Sequence, residues 1–229
     1  REARQAVNRG LALNPVQLDL VLRKVWSHVQ EGDLAAARAV LAAAPKEIER
    51  TALVAYLAAW GGGWILDAPR RDLLLRLTPR EFGDDRAAWA NALASEHWLR
   101  GELAEARRFA AEALPVYRER VDELPDDSGS RAGLGAMLAI LGHGEEAARE
   151  AERAAALAPL EGNPWLAAEA HYSLAVVHTR LGNQEMAIDA LERQLEAHTW
   201  LSPGSLRADA NFAPLRGNPR FARLTAGEP

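Results

Sequence analysis

The chain has 229 residues, 48% of them hydrophobic, a net charge of −5 and no cysteine. That length and apolar content suffice for a large core, and the basic residues are interspersed with acidic ones, so no cationic stripe exists to follow a phosphate backbone and nucleic acid is not an expected partner. Disulfides and thiol catalysis are excluded, and no apolar run approaches the roughly 18 residues that a membrane span needs.

From the start of the chain, Glu2 to Leu13 followed by Asn14-Pro15 has the pattern of a helix and its stop. It reads as the second helix of a repeat whose first helix lies upstream. A hairpin follows, in which Val25, His28, Gly32-Asp33, Ala37 and Leu41 mark one helix, a turn and a second helix. The segment from Glu47 to Trp60 and then from Pro69 to Leu77, broken by Gly61-Gly62-Gly63, reads as a degenerate hairpin. The triple glycine is no phosphate loop, since no Gly-Lys-Ser/Thr ending and no strand accompany it.

Three clearer copies come next. Leu93-Ala94, Gly101 and Ala106 recur as Leu134-Gly135, Gly142 and Ala147, and again as Leu174-Ala175, Gly182 and Ala187. Gly101 to Gly142 is 41 residues and Gly142 to Gly182 is 40, the period of stacked helical pairs. Each glycine ends a helix with a positive φ, and the small residues let two helices cross closely. The second helix of the Gly101 hairpin is long, and Pro115 is expected to bend or stop it near Ala111. Asp126-Asp127-Ser128 reads as a helix stop and a new N-cap. In the tail, Ser202-Pro203 and Asn218-Pro219 each pair an N-cap with proline at the first helical position. Leu201, Leu206, Phe212, Leu215, Phe221 and Leu224 are placed to cover the open end of the last hairpin.

The copy from Ala168 to Leu195, with Leu174, Ala175, Gly182, Ala187 and Leu191 in the core positions, resembles the tetratricopeptide repeat, with His171 where an aromatic is usual. The expected fold is therefore an all-α, right-handed solenoid of such hairpins over residues 1–229. It comprises a repeat end at 1–15, hairpins at 16–45, 46–79, 84–125, 127–159 and 164–198, and a cap at 199–229. Leu77 to Leu224, with its distinctive tail, resembles the C-terminal repeat region of large bacterial signalling proteins of the protein kinase, adenylate cyclase or winged-helix regulator type. It departs from them in carrying Asp209-Ala210 where Asp-Pro is usual, and in having Pro115 at all.

The tetratricopeptide resemblance implies a concave face lined by the first helix of each pair. Carried onto this chain, the groove positions are Glu169, Tyr172, Val176, Thr179 and Arg180; Ala132, Ala136 and Ala139; Asn91, Ser95 and Trp98; and Leu22, Trp26 and Val29. The lysine and asparagine clamp of chaperone adaptors is missing. Arg216 and Arg220 have a docking reading and a cap reading, and the cap is the ordinary one. Trp60 and Trp64 flank the triple glycine and are expected to pack between helices. His171 and His178 are two turns apart, too far to share a metal unaided, and no nucleophile with a base can be placed. The expectation is thus a non-catalytic scaffold for a protein or peptide, without metal or cofactor, in a cytoplasmic protein or the extracytoplasmic part of a membrane-anchored one. The other reading is a sensor that binds a peptide or small molecule in the groove and relays it to an upstream domain.

Overall fold

The computed structural model describes residues 2–161 and 164–226. Arg1 and residues 227–229, the outermost parts of the expected first and last segments, lie outside the described residues. Among the described residues every regular element is helical. The order is α1 (Glu2–Leu13), α2 (Leu18–Gln30), α3 (Leu34–Ala42), α4 (Arg50–Ala59), α5 (Ala68–Leu74), α6 (Arg86–Leu99), α7 (Leu103–Glu123), α8 (Ser128–Leu141), α9 (Gly144–Leu157), α10 (Pro164–Arg180), α11 (Gln184–Glu196), α12 (Pro203–Ala208) and α13 (Pro219–Ala226). Single 3₁₀ turns occupy Gly63–Ile65, Pro79–Phe82 and Ala210–Leu215. Neighbours pack pairwise as α2 with α3, α6 with α7, α8 with α9 and α10 with α11. The chain is an all-α solenoid of tetratricopeptide-like hairpins closed by a C-terminal capping segment.

One local device makes every hairpin. Gly32, Gly61, Gly101, Gly142 and Gly182 all have φ between 72° and 87°. Around each, two backbone bonds close a Schellman motif: at Gly32 the Asp33 amide donates to the His28 carbonyl (2.9 Å) and the Gly32 amide to that of Val29 (2.8 Å). The same pair of bonds recurs at Glu102 to His97 with Gly101 to Trp98, and at Asn183 to His178 with Gly182 to Thr179. Orphan carbonyls of each first helix are thereby satisfied inside the turn, and the second helix starts two residues later in a fixed direction, except after Gly61, where the 3₁₀ turn Gly63–Ile65 comes first and α5 begins at Ala68. Five residues beyond four of these glycines stand Ala37, Ala106, Ala147 and Ala187, all fully buried where the paired helices cross.

Two ionic ties fix the less regular middle. Glu96 on α6 is buried, yet it accepts from Arg71 Nε on α5 (2.8 Å) and from Arg100 Nε (2.5 Å), while Arg100 also reaches Asp72 (2.8 Å). Asp85, the N-cap of α6, accepts from both Nη atoms of Arg120 on α7. Pairing offsets the cost of taking the Glu96 charge out of water.

The structure corrects one expectation. Pro115 does not stop its helix, since α7 runs unbroken from Leu103 to Glu123. Pro115 and Ala111 both lie on the exposed face, so the carbonyl that loses its amide partner faces water, which satisfies it. Buried Ala110, Ala113, Tyr117 and Val121 hold the opposite face against the core.

The tail does more than cap. Leu206, Phe212, Leu215 and Phe221 are almost wholly buried, and Arg220 on α13 is ion-paired with Glu185, Asp189 and Glu192 of α11. Arg216 donates to the Arg207 carbonyl. Beyond the last hairpin, α12 reaches the first one. The Ser202 hydroxyl donates to the Gln30 carbonyl, and Gly204 meets Gly32 backbone to backbone. Trp200 adds an edge-on contact to Trp26, with ring centroids 5.4 Å apart. The solenoid is closed into a ring, with the first helices on its inner side.

Closure makes two stability predictions. Gly32→Ala and Gly142→Ala both put a side chain at a left-handed φ, a strain of about 1–2 kcal/mol. At Gly142 the new Cβ meets nothing within 4 Å, whereas at Gly32 it falls 2.9 Å from Gly204 Cα. Urea unfolding should show Gly32→Ala losing clearly more than Gly142→Ala, and equal losses would contradict the ring contact. Ending the chain after His198 removes at least four large buried side chains worth about 1.5–3 kcal/mol each, so it should lower stability by several kcal/mol and cost solubility. A truncated chain that melts like the parent would contradict the packing of the tail.

Candidate functional site

The inner side of the ring lines a half-open cavity of about 170 Å³. Asn91, Ser95 and Glu96 of α6 form one wall, with Ala132, Gly133 and Ala136 of α8 and Glu169, Tyr172, Val176 and Arg180 of α10 forming another. Trp60 and Trp64 close one side, and Trp200 and Asn211 of the tail close the other. Tyr117 enters from α7, a second helix, because Gly133 leaves room for it: a Cβ there would lie 2.4 Å from the phenol ring.

Of the groove residues expected from sequence, Asn91, Ser95, Ala132, Ala136, Glu169, Tyr172, Val176 and Arg180 share this cavity. Trp98 stands behind them, its ring centroid 5.8 Å from the Arg180 guanidinium carbon. Leu22, Val29 and Ala139 are buried in the core, and Thr179 is buried with its hydroxyl donating to the Ala175 carbonyl. Trp26 is half-buried, covered by Trp200 and lying against Gly62. Tail contacts thus fill the groove at its α2 end. Trp200, Asn211 and Tyr117 join the cavity, and Asp209 stands behind Tyr172, at positions that the repeat register does not mark. The glycine at 133, opposite an aromatic on the preceding helix, is the one sequence signal that bears on Tyr117.

The cavity's polar groups fall into two sets. At the tail side the Tyr172 hydroxyl donates to Asp209 Oδ2 (2.7 Å), while Asn211 donates its backbone amide (2.8 Å) and its side-chain amide (3.0 Å) to Asp209 Oδ1. Burial pushes the Asp209 carboxyl up to about 6 despite these bonds, and it holds the Tyr172 phenol well above its ordinary value. Asn91 donates to the Tyr117 hydroxyl (3.1 Å), and burial pushes that phenol up to about 12. Both phenols stay protonated.

At the other side Arg180 extends from the end of α10. Its Nη1 contacts the Ala136 carbonyl at 3.4 Å and its Nη2 the Ser95 hydroxyl at 3.3 Å, both at the long end of hydrogen bonding. The Nε is shielded from solvent and has no acceptor. Desolvation lowers the guanidinium to about 10, and among the described residues Arg180 makes no ion pair.

A wider mouth of about 470 Å³ adjoins the cavity and shares Ala59, Trp60, Ala88 and Glu169 with it. Tyr56 and Trp60 stack there, with centroids 6.0 Å apart, and both are exposed. Trp64 packs in the core as expected from sequence, but Trp60 does not: it is 56% exposed because it follows the last turn of α4 on the rim. Glu169 lies on the same rim, its carboxyl raised by desolvation and by Asp127.

His171 and His178 are buried and held below their ordinary value by desolvation, with His171 Nε2 3.1 Å from the Ala158 carbonyl. Among the described residues no group of three His, Asp or Glu side chains is placed to hold a metal ion, and no helix is long and apolar enough to cross a membrane.

No family model matches the chain, and no curated relative was found. Among solved structures, a chain described as MamA AMB-1 in a P212121 crystal form is similar over 80% of this chain and 92% of that one, at 19% identity and a TM-score of 0.30. The description of the fold rests on the hairpins and turns themselves.

Asp209 makes stability depend on pH. Its folded value, about 6, lies above the ordinary 3.8, so proton uptake favours the folded state. The contribution is complete below about pH 4 and is lost as pH rises through about 6, a change on the order of 3 kcal/mol. Melting temperatures of the parent should therefore fall relative to Asp209→Asn between pH 4 and pH 7. Parallel curves would contradict a buried, ionisable Asp209.

Proposed function

We propose that the chain is a non-catalytic, helical-repeat binding module whose occupant sits inside the ring, and that ring closure reports occupancy. The observation that carries this reading is that the tail narrows the concave face to a small, half-open cavity. A cavity of about 170 Å³ falls short of the roughly 300 Å³ and more of drug-sized pockets. It suits a small molecule or the end of a peptide. An extended protein segment laid along the groove would have to displace Trp200 and break the contacts of α12 with α2.

The non-catalytic part of the reading rests on the polar groups present. The Ser95 hydroxyl has Asn91 and Arg180 as neighbours rather than a base, and Asp209 is engaged by Tyr172 and Asn211. The likeness of Leu77–Leu224 to the repeat regions of bacterial signalling proteins supports a sensory role, in which occupancy is relayed to another domain. A scaffold for a folded protein is the second reading. It uses the outer face, where Leu103 and Met186 at the starts of α7 and α11 are half exposed.

A locked ring separates the two. The chain lacks cysteine, so Gln30→Cys with Ser202→Cys introduces a lone pair that a disulfide or a short bis-maleimide can join. Thermal-shift screening of small molecules and short peptides against the locked chain should retain the hits found with the unlocked one. Hits that disappear on locking would show that the occupant needs an open groove, and would overturn the enclosed-site reading.

A further inference from the structure

We infer that Arg180 anchors a small organic monocarboxylate inside the ring. The inference rests on the enclosed-site reading and adds the ligand's chemistry to it. A guanidinium presents five N–H donors, and the protein gives this one two long hydrogen bonds, to the Ala136 carbonyl and the Ser95 hydroxyl, beside the Trp98 ring 5.8 Å from its carbon. Its Nε has no acceptor at all. Neither contact carries charge. Several arginines elsewhere meet acids: Arg71 and Arg100 meet Glu96, Arg120 meets Asp85, Arg131 meets Glu150, and Arg220 meets three acids; Arg38 instead donates to the Ile65 and Leu66 carbonyls, but through its Nε at 2.9 Å, the atom that Arg180 leaves unbonded. Arg180, with its Nε shielded from solvent, is left without an acid among the described residues.

The carboxylates in the cavity wall and beside it do not supply the missing charge. Glu96 is held by its two arginines, and Asp209 is held by Tyr172 and Asn211. Glu169 lies eleven residues earlier on α10, about 16 Å away along the helix axis, at the mouth. A carboxylate is the planar anion that a guanidinium fork matches with two parallel bonds. The cavity volume limits the rest of the ligand to a compact body, which Val176, Ala136 and the indole of Trp200 would contact. Glu169 at the entrance disfavours a second negative charge.

The test uses the full chain and pairs each acid with its neutral amide: acetate with acetamide, butyrate with butyramide, benzoate with benzamide. Binding is read by calorimetry and by tryptophan fluorescence. At least one carboxylate is expected to bind at millimolar concentration at least tenfold more tightly than its amide, with Arg180→Met abolishing the difference and Arg180→Lys keeping part of it. Arg180→Met without ligand is expected to raise Tm, because it removes an unpaired, desolvated charge. If amides bind as well as acids, and Arg180→Met binds both, the carboxylate inference fails while the enclosed site stands. If no carboxylate in the series binds, or if Arg180→Met lowers Tm in the absence of ligand, the guanidinium is a structural bridge from α10 to α6 and α8, and the inference is overturned.

Discussion

The contact on which the rest of this structure depends is the meeting of two glycines. Gly32 ends the first helix of the first complete hairpin, Gly204 opens α12, and the backbones pass so closely that neither position has room for a methyl group. Ser202 ties the same two segments by donating to the Gln30 carbonyl, 172 residues away in sequence. An ordinary solenoid leaves its two ends apart and its concave face open. Here the end that should be capped against water is capped against the beginning, and a curved surface becomes an interior.

That conversion explains why the inner residues look unlike a groove wall. Open grooves are wetted, so their polar groups need no internal partners. Inside the ring, Asp209, Tyr172 and Asn211 satisfy one another, and Tyr117 meets Asn91. Such networks are expected where water is excluded, because an unpaired polar group there costs the full price of its lost hydration. Arg180 is the exception in the same interior, and an exception of that kind calls for an occupant rather than for a larger count of contacts.

The hairpins were legible because a local signal makes each one. A glycine at the turn, a small residue five positions on and a leucine with a small neighbour before it suffice to set a Schellman turn and a close helix crossing, and all of these lie within about 15 residues of one another. The N-caps at Asp127 and Ser202 were legible for the same reason. Pro115 misled because its cost depends on which face of α7 it occupies, and the long helix turns it outward. The ring was not legible: its contacts join residues more than 160 apart, and Gly204 reads as part of a short capping motif until Gly32 is seen against it. The site followed the same division. Asn91, Ser95, Ala132, Ala136, Glu169, Tyr172, Val176 and Arg180 line the cavity, whereas Trp98 stands behind it, Ala139 and Thr179 are buried, and the α2 positions lie in the core or under Trp200.

Closure of the ring in solution is the central claim, and a distance across the joint tests it most directly. Arg23 on α2 and Ala213 in the tail are both exposed and lie on the two sides of the joint, and the chain has no native cysteine to interfere. Spin labels attached to cysteines at these positions, measured by pulsed electron paramagnetic resonance, should give one narrow distance distribution that widens and lengthens when Gly204 is replaced by valine. A broad, long distribution in the parent, unchanged by that substitution, would mean that the solenoid is open and that its concave face is an ordinary groove.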